Sequence, residues 1–359
     1  MEYDQHIYLY NVGAQKFLVV GVTGGTQATT LQDQPQPVSI SDDGNGNFNF
    51  ITTEGLRNYM CAAPQMDYPI SVWSSDDAGA QWEITESTVP ADYETCIALL
   101  KARMGMENED YELVFSDEFN GEGEPNADYW VRTPRASSTW NRWCSNDSRV
   151  VYEQGGTLHC LAIPTPDDSD DTAPMLTGGI KSQGMFTFQY GRAVARIKTN
   201  QWRGNFPAFW MMPADNSAGW PNAGEIDIWE TIDTSTQSWH TVHTNWTYNL
   251  HQGTNSQNYN NIDYNLWHTY AVDWDSQAIT WYVDGNKVWS YTKSTDTNAL
   301  DNGQWPFDAP FYLILNQSVG NGSWAANADT NHTYETLFDW VRVYQPKDAT
   351  AIQGQESRA

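Results

Sequence analysis

Short runs in which apolar and polar residues alternate follow one another along residues 110–346, and a helical repeat is nearly absent. Alternation with a period of two is typical of strands that bury one face. Asp284-Gly285, between two of these runs, indicates a tight hairpin. Strands that follow each other without intervening helices favour an all-β, antiparallel sandwich. The clearest predicted strands cover residues 191–199, 266–274, 279–283, 287–291, 311–316 and 337–344.

Residues 1–105 show the same alternation in shorter runs separated by Gly, Asn and Asp, which predicts a separate small all-β domain. A connector at 94–106, followed by the acidic segment 107–110, places the boundary near residue 105. The sequence leaves two roles open for this first domain: an accessory domain that binds carbohydrate, or a spacer. We expect the polar tail, residues 347–359, to be disordered.

The chain of 359 residues carries 45 acidic and 18 basic side chains, which gives a net charge of −27. This charge disfavours nucleic acid, anionic membranes and strongly acidic polysaccharides as partners, and it favours a neutral glycan. The sequence also contains 18 Trp and 19 Tyr, whose rings can stack on sugar rings as well as fill a core. No apolar run is long enough to cross a bilayer, and we expect a monomer.

Four cysteines, Cys61, Cys96, Cys144 and Cys160, lack metal-binding spacing, and their pairing cannot be deduced from the sequence. Free thiols are favoured because a chain of this size does not need disulfides for stability. The chain begins with Met1 and a polar segment instead of a signal peptide. A methionine added before a trimmed mature chain explains this start, so we expect a secreted, periplasmic or cell-surface protein.

One strand of the second region reads Gly-Glu-Ile-Asp-Ile-Trp-Glu and ends at Glu230. In a regular strand Glu225 and Asp227 share one face, whereas Glu230 points to the other. A β-bulge near Ile228 and Trp229 would turn Glu230 towards the first face. A charged surface stripe is the alternative, but three acids without interleaved cations repel each other. Two carboxylates about 5–5.5 Å apart suit a retaining glycosidase.

This strand resembles the active-site signature of glycoside hydrolase family 16, in the bulged form typical of its laminarinase-like branch. Further segments resemble the family in the same order along residues 110–346. They are residues 115–121, 190–198, 206–211, 281–285, 305–308 and 339–344.

The resemblance implies a concave jelly-roll sandwich, concanavalin-like, with a glycan cleft across one sheet. It assigns Glu225 as the nucleophile and Glu230 as the acid/base. Asp227 would hydrogen-bond the nucleophile and help to hold the proton on Glu230. Because like charges this close cannot both ionise easily, the pKa of one carboxyl should rise and supply the acid. No cofactor is implied for catalysis.

The resemblance also indicates residues that bind substrate. Trp210 matches the stacking position near the scissile bond, and His243 matches a histidine beside the catalytic face, with His240 as its competitor. Further candidates, for which core or loop roles are equally open, are Asn205, Trp220, Trp246, Trp305 and Asn316.

A structural Ca²⁺ ion on the convex side is common in the family. The matching positions are Glu118, Gly155 and Asp339, where oxygen ligands would suit a hard cation.

The laminarinase-like branch implies endo-hydrolysis of β-1,3-glucan or mixed β-1,3/1,4-glucan with retention. Trp229, Asn205 and the segment 316–324 depart from the pattern of that branch, and we expect them to border the cleft. An endo-β-1,4-galactosidase that acts on host poly-N-acetyllactosamine or mucin-type O-glycans therefore remains the alternative. A non-catalytic lectin is the second alternative, although it should lack one of the carboxylates, and Glu225 and Glu230 are both present.

Overall fold

The computed structural model describes residues 111–347 without interruption and, before them, the short stretches that form nine strands. The chain divides into two compact units, Met1–Met106 and Glu107–Ala359. The predicted connector at 94–106 and residues 348–359 of the predicted tail lie outside the described residues. The described part of the chain contains no helix that is long and apolar enough to span a membrane.

The first unit contains two antiparallel sheets, with six strands in the order β1-β2-β6-β7-β8-β9 and three in the order β3-β4-β5. The described stretches of this unit are strands, as predicted, and Tyr8, Phe17 and Val38 are buried in them. Its accessory role stays a prediction. The strands are β1 (Glu2–Tyr3), β2 (His6–Tyr8), β3 (Tyr10–Asn11), β4 (Lys16–Val19), β5 (Thr30–Gln32), β6 (Pro37–Asp42), β7 (Phe48–Thr52), β8 (Tyr59–Ala62) and β9 (Ile70–Trp73).

The second unit is built almost entirely of strands, as the alternating pattern predicted. Its residues 111–347 include two short helices, a π-helix (Asn245–Asn249) and α1 (Thr297–Asp301). The strands are β10 (Tyr111–Asp117), β11 (Val131–Arg132), β12 (Val151–Gln154), β13 (Thr157–Pro164), β14 (Met175–Lys181), β15 (Gly191–Thr199), β16 (Asn205–Pro213), β17 (Glu225–Glu230), β18 (Ser238–His243), β19 (Ser256–Tyr259), β20 (His268–Trp274), β21 (Ala278–Val283), β22 (Asn286–Thr292), β23 (Phe311–Val319) and β24 (Tyr334–Pro346).

These strands form an antiparallel sandwich. One layer runs β19-β18-β17-β16-β23-β14, and the other runs β13-β24-β15-β20-β21-β22. Strand β14 joins the layers, because its first half pairs with β13 and its second half, from Gly178, pairs with β23. The hairpin predicted at Asp284-Gly285 is confirmed, since both residues have positive φ (53° and 74°) between β21 and β22.

The main core lies between the two layers and is rich in aromatic and branched side chains. On β16, Phe209 and Met211 point into it, whereas Ala208 and Trp210 belong to a small cluster on the opposite face of the sheet. Strand alternation therefore gives the first layer one face for the core and one for a site. Cys144 and Cys160 are buried free thiols, as predicted for these two residues.

Candidate active site

The strand β17 carries a bulge between Asp227 and Glu230. Over this interval β17 advances three residues while both neighbours, β16 and β18, advance two. The partners of Glu225, Asp227 and Glu230 on β18 are alternate residues, so the three acids share one face. Ile228 and Trp229 are fully buried in the core on the other side. The bulge predicted from the sequence is present.

Core side chains bind two backbone carbonyls at this bulge. The indole Nε1 of Trp281 donates to the carbonyl oxygen of Asp227 at 2.8 Å. The Nδ1 atom of His240 donates to the carbonyl oxygen of Ile228 at 2.7 Å, and its Nε2 lies 3.0 Å from Ser238 Oγ. Burial lowers the pKa of His240 to about 4, so the ring is neutral near neutral pH. His240 is thus a core histidine, and His243 is the one beside the acids.

Two side chains beside Glu225, those of Trp220 and His243, favour its ionised form. Trp220 donates its indole N–H to Glu225 Oε2 at 2.7 Å. The Nε2 atom of His243 lies 3.8 Å from Glu225 Oε1 and 3.4 Å from Asp227 Oδ2. Burial opposes protonation of His243, but contact with Asp227 and the charge of Glu225 raise its pKa to about 9. A cationic imidazole therefore lies beside Glu225 and Asp227 near neutral pH.

The environments of the two glutamates differ in charge. Burial and the charge of Asp227 raise the pKa of Glu225 to about 8, while His243 and the Trp220 N–H act in the opposite direction. For Glu230, burial and the charges of Asp227 and Glu225 all raise the pKa, well above its usual value. The contacts with His243 and Trp220 thus favour ionisation of Glu225, whereas the charges around Glu230 favour its protonated form. An ionised nucleophile beside a protonated acid is the pairing that retaining hydrolysis requires.

Residues 138–342, more than half of the chain, match the sequence profile of the glycosyl hydrolases family 16. The chain belongs to this family. It is therefore a glycoside hydrolase, and the family resemblance and the jelly-roll sandwich drawn from its sequence are confirmed.

Characterised relatives of this family 16 hydrolase act on different glycans. It is 35% identical over 241 residues to a keratan-sulfate endo-1,4-β-galactosidase of Sphingobacterium multivorum, covering 66% of this chain and 56% of that protein. It is 32% identical over 250 residues to a β-glucanase of Rhodothermus marinus, covering 66% and 85%. The solved laminarinase of Rhodothermus marinus superimposes with a TM-score of 0.60 at 27% identity, over 66% of this chain and 98% of that one.

Trp210 and Asn316 lie on the same sheet face as the acids of the family 16 site, but beneath its surface. Trp210 pairs with Asp227 across the strands and is only 5% exposed. Its indole N–H donates to Asn316 Oδ1 at 2.7 Å, and Asn316 Nδ2 donates to Ser318 Oγ at 2.8 Å. An edge-on contact with Trp140, 4.7 Å between ring centroids, completes this packing. Both residues therefore form the floor of the site.

Trp220 stands at the surface beside the nucleophile and is 42% exposed. Its ring lies 5.6 Å from that of His243 and 4.5 Å from that of Tyr248. Tyr248 is an exposed residue of the π-helix that the sequence analysis missed, and its only signal is its position in the aromatic turn after His243. Trp246, in the same π-helix, is half-buried.

Asn205 and Trp305 are buried, so their side chains present no surface to a substrate in this structure. Asn205 is fully buried, donates to the carbonyl oxygen of Asn200 and accepts a hydrogen bond from Gln317. Trp305 packs in the main core against Tyr291. Among the residues expected to border the cleft, Trp229 is buried in that core as well.

Both carboxylates predicted near a Ca²⁺ ion are paired with arginines. The carboxylate of Glu118 accepts two hydrogen bonds from Arg342, at 2.7 and 2.6 Å. Asp339 forms an ion pair of 2.5 Å with the buried Arg196. Gly155 offers only its backbone, at a positive φ of 60°. Because both carboxylates balance an arginine, they offer little free negative charge to a cation, and a structural Ca²⁺ ion at these positions stays a prediction.

Proposed function

We propose that the chain is a retaining endo-β-glycosidase that hydrolyses a neutral β-1,3-glucan or mixed β-1,3/1,4-glucan by double displacement. The observation that carries this proposal is the bulged strand β17, which presents Glu225 and Glu230 on one face. Burial raises the pKa of both acids, but His243 and Trp220 oppose this rise at Glu225, whereas the charges around Glu230 add to it. Because both acids share one face of a single strand, we expect the carboxyl separation of about 5–5.5 Å that suits a retaining enzyme, which is too short for the intervening water of an inverting one.

In the first step the Glu225 carboxylate attacks the anomeric carbon, and Glu230 gives its proton to the glycosidic oxygen. The bond between that carbon and oxygen breaks, the leaving chain departs with the proton, and a glycosyl ester forms on Glu225. In the second step Glu230, now ionised, takes a proton from water while the water oxygen attacks the same carbon. The ester bond breaks, both carboxyl groups return to their first states, and two inversions give net retention.

Asp227 has a supporting role in this mechanism. It is almost fully buried, and its charge raises the pKa values of Glu230 and His243. It thereby helps to keep the proton on the acid and a positive charge beside the nucleophile. A lectin has no need for such an arrangement, which favours catalysis over binding alone.

The choice of a glucan rests on the likeness to the β-glucanase and the laminarinase and on the net charge of −27, which opposes anionic glycans. The 35% identity to the keratan-sulfate endo-1,4-β-galactosidase favours the alternative, an endo-β-1,4-galactosidase acting on uncharged poly-N-acetyllactosamine or mucin-type O-glycans. Because long polysaccharides do not cross membranes, we propose that the enzyme is secreted, periplasmic or on the cell surface. We also expect it to be a monomer.

Digestion of laminarin, barley glucan, lichenan and poly-N-acetyllactosamine, with Glu225→Gln as the inactive control, tests this proposal. We expect oligosaccharides from laminarin or barley glucan and a β-anomer as the first product by NMR. Products from poly-N-acetyllactosamine with none from the glucans would establish the galactosidase. Glycan binding without products from any polymer would establish the lectin.

A further inference from the structure

Trp202 presents a large aromatic surface to solvent on the loop between β15 and β16. It is 46% exposed, although side chains of this size are usually buried. Its ring lies parallel to that of His332, with 4.3 Å between centroids and 14° between planes. Its indole N–H donates to Asp329 Oδ2 at 3.4 Å. The imidazole covers one face of the indole, so the exposed surface belongs to a ring that is fixed from behind.

The two loops that carry these rings are tied together. The hydroxyl of the buried Tyr334 donates to the carbonyl oxygen of Arg203 at 2.7 Å and accepts from the backbone N–H of Asp329 at 2.8 Å. Tyr334 also contacts His332 edge-on, at 4.8 Å between centroids. Because Trp202 is held before any ligand arrives, binding at its ring costs little conformational entropy.

The same loops meet the acid/base side of the catalytic face. Asp233, in the loop that follows Glu230, accepts hydrogen bonds from the backbone N–H groups of Gly204 at 2.7 Å and Ala326 at 3.1 Å. Asp233 thereby joins the loop of Trp202 to the segment that carries Trp324. These bonds connect the loop of Trp202 to the loop that leaves the catalytic strand after Glu230.

Aromatic side chains line that side of the sheet. Trp324 is 42% exposed and contacts Phe206 edge-on, at 5.3 Å between centroids. It also contacts Trp239, at 6.2 Å, and Trp239 is the residue that pairs with Glu230 on β18. Trp239, Trp324 and Phe206 therefore form an aromatic cluster beside Glu230, and the loops that carry Trp324 and Trp202 are both bonded to Asp233.

We propose that Trp202, backed by His332, is an additional sugar-stacking site that binds the polysaccharide chain beyond the reaction centre on the Glu230 side. A flat, fixed indole matches the apolar face of a pyranose ring. The carboxylate of Asp329 and the exposed side chains of Arg203 and Asn331 offer hydrogen-bonding groups for the hydroxyls around it. The site rests on the proposed endo-glycosidase function, because only a polymer reaches both positions at once.

Kinetics on long and short substrates test this site. Trp202→Ala should lower kcat/KM on laminarin or barley glucan about tenfold, through KM, because loss of one stacked sugar corresponds to about that factor. Turnover of a short aryl β-glycoside should change less than about twofold, since it does not reach the site. Trp202→Phe should retain most of the activity on the polymer, and His332→Ala should lose part of it. Tyr129→Ala, an exposed aromatic residue elsewhere, is the matched control.

Affinity electrophoresis separates this site from the catalytic proposal because it does not need turnover. The Glu225→Gln protein should be retarded in gels that contain laminarin, barley glucan or poly-N-acetyllactosamine, and adding Trp202→Ala should abolish most of that retardation. This result supports the stacking site even if no polymer is cleaved. Equal retardation with and without Trp202, no retardation in any gel, or equal loss of activity on polymer and aryl glycoside would overturn it.

Discussion

The Nδ1 atom of His240 lies 2.7 Å from the backbone oxygen of Ile228, the extra residue of the β17 bulge. The imidazole is fully buried, and burial lowers its pKa to about 4, so it acts as a neutral hydrogen-bond donor. This bond fixes the backbone two residues before Glu230. His240 is therefore a positioning residue that sets the direction of the acid/base without touching substrate.

His240→Leu removes this donor at similar volume. We expect kcat on a polysaccharide to fall about 10–100-fold with KM nearly unchanged, since a misplaced acid weakens proton transfer and leaves binding intact. The loss should be smaller on aryl glycosides, whose leaving group needs no proton. Steady-state kinetics on both substrates measure this difference. His240→Gln, which keeps an N–H donor, should recover part of the activity, and equal losses in both variants would show that the shape of the ring matters instead.

Substitution of the nucleophile should lower the activity of the enzyme but raise its stability at alkaline pH. Burial and Asp227 raise the pKa of Glu225 from 4.5 to about 8. The folded state thus favours the protonated acid, and this stabilisation is present below pH 4.5 and lost as the pH rises through 8. Glu225→Gln should lower kcat about 10³-fold or more, because the nucleophile is lost.

The same variant should unfold at higher urea concentration than the native protein at pH 8. The gain in the free energy of unfolding should be at least about 1 kcal/mol, since one pKa unit corresponds to about 1.4 kcal/mol. At pH 4.5 the two proteins should converge. Glu112→Gln, at an exposed position, is the control and should show no such dependence on pH. If Glu225→Gln were less stable than the native protein at pH 8, ionisation of the buried Glu225 would not be what destabilises the native protein.

The indole of Trp220 should set the acidic limb of the pH profile. Its N–H bond to Glu225 Oε2 lowers the pKa of that carboxyl. Trp220→Phe removes the donor, so the pKa rises and the acidic limb of kcat/KM moves to higher pH. Rates measured on an aryl glycoside across pH 4–9 give this shift, with Trp324→Phe as the control. An unmoved limb with a raised KM would mean that Trp220 acts only by stacking on sugar.

Strand alternation made it possible to predict the bulge at the catalytic face. In a regular strand Glu225 and Glu230 would point to opposite faces, so both can serve one site only if an extra residue lies between them. The same rule separates His240 from His243, which are three residues apart on β18 and point to opposite faces. Which of them faces the acids depends on the register, and the pairing of Glu225 with His243 decides it. This register is set by the pairing of two strands, so it cannot be read from the sequence of one strand alone.

The fate of the aromatic and amide residues could not be predicted in this way. Trp210 bonds Asn316 across β16 and β23, which are remote in sequence, so only the folded sheet brings them together. Trp305 lies outside the strands, where no periodicity tells which side of a segment faces the core. Asn205 begins β16, and its burial follows from bonds to Asn200 and Gln317 that alternation does not encode.

The first unit should be dispensable for cleavage of a soluble substrate. The chain divides at Met106, whereas the family match begins at residue 138 and the three acids lie beyond it. A shortened chain that begins at Glu107 should keep kcat on a soluble oligosaccharide within about twofold, as expected when domains fold independently. Circular dichroism verifies folding. A folded but inactive shortened chain would mean that residues 1–106 complete the cleft.

The separate roles of the two glutamates lead to the final prediction. Glu230→Ala removes the acid while Glu225 and its partners, Trp220 and His243, stay in place. Turnover of natural glycans should fall about 10²–10⁴-fold, the usual contribution of a general acid/base. Aryl glycosides with good leaving groups should still form the ester on Glu225, and its hydrolysis then becomes slow.

Azide should restore the turnover of Glu230→Ala on these aryl glycosides. The anion enters the space that the carboxylate left and attacks the anomeric carbon of the ester, which gives a β-glycosyl azide by NMR. Glu225→Ala should give the α-azide instead, because azide then attacks the substrate directly with one inversion. An α-azide from Glu230→Ala, or an initial native product of inverted configuration, would require the roles of Glu225 and Glu230 to be exchanged or abandoned.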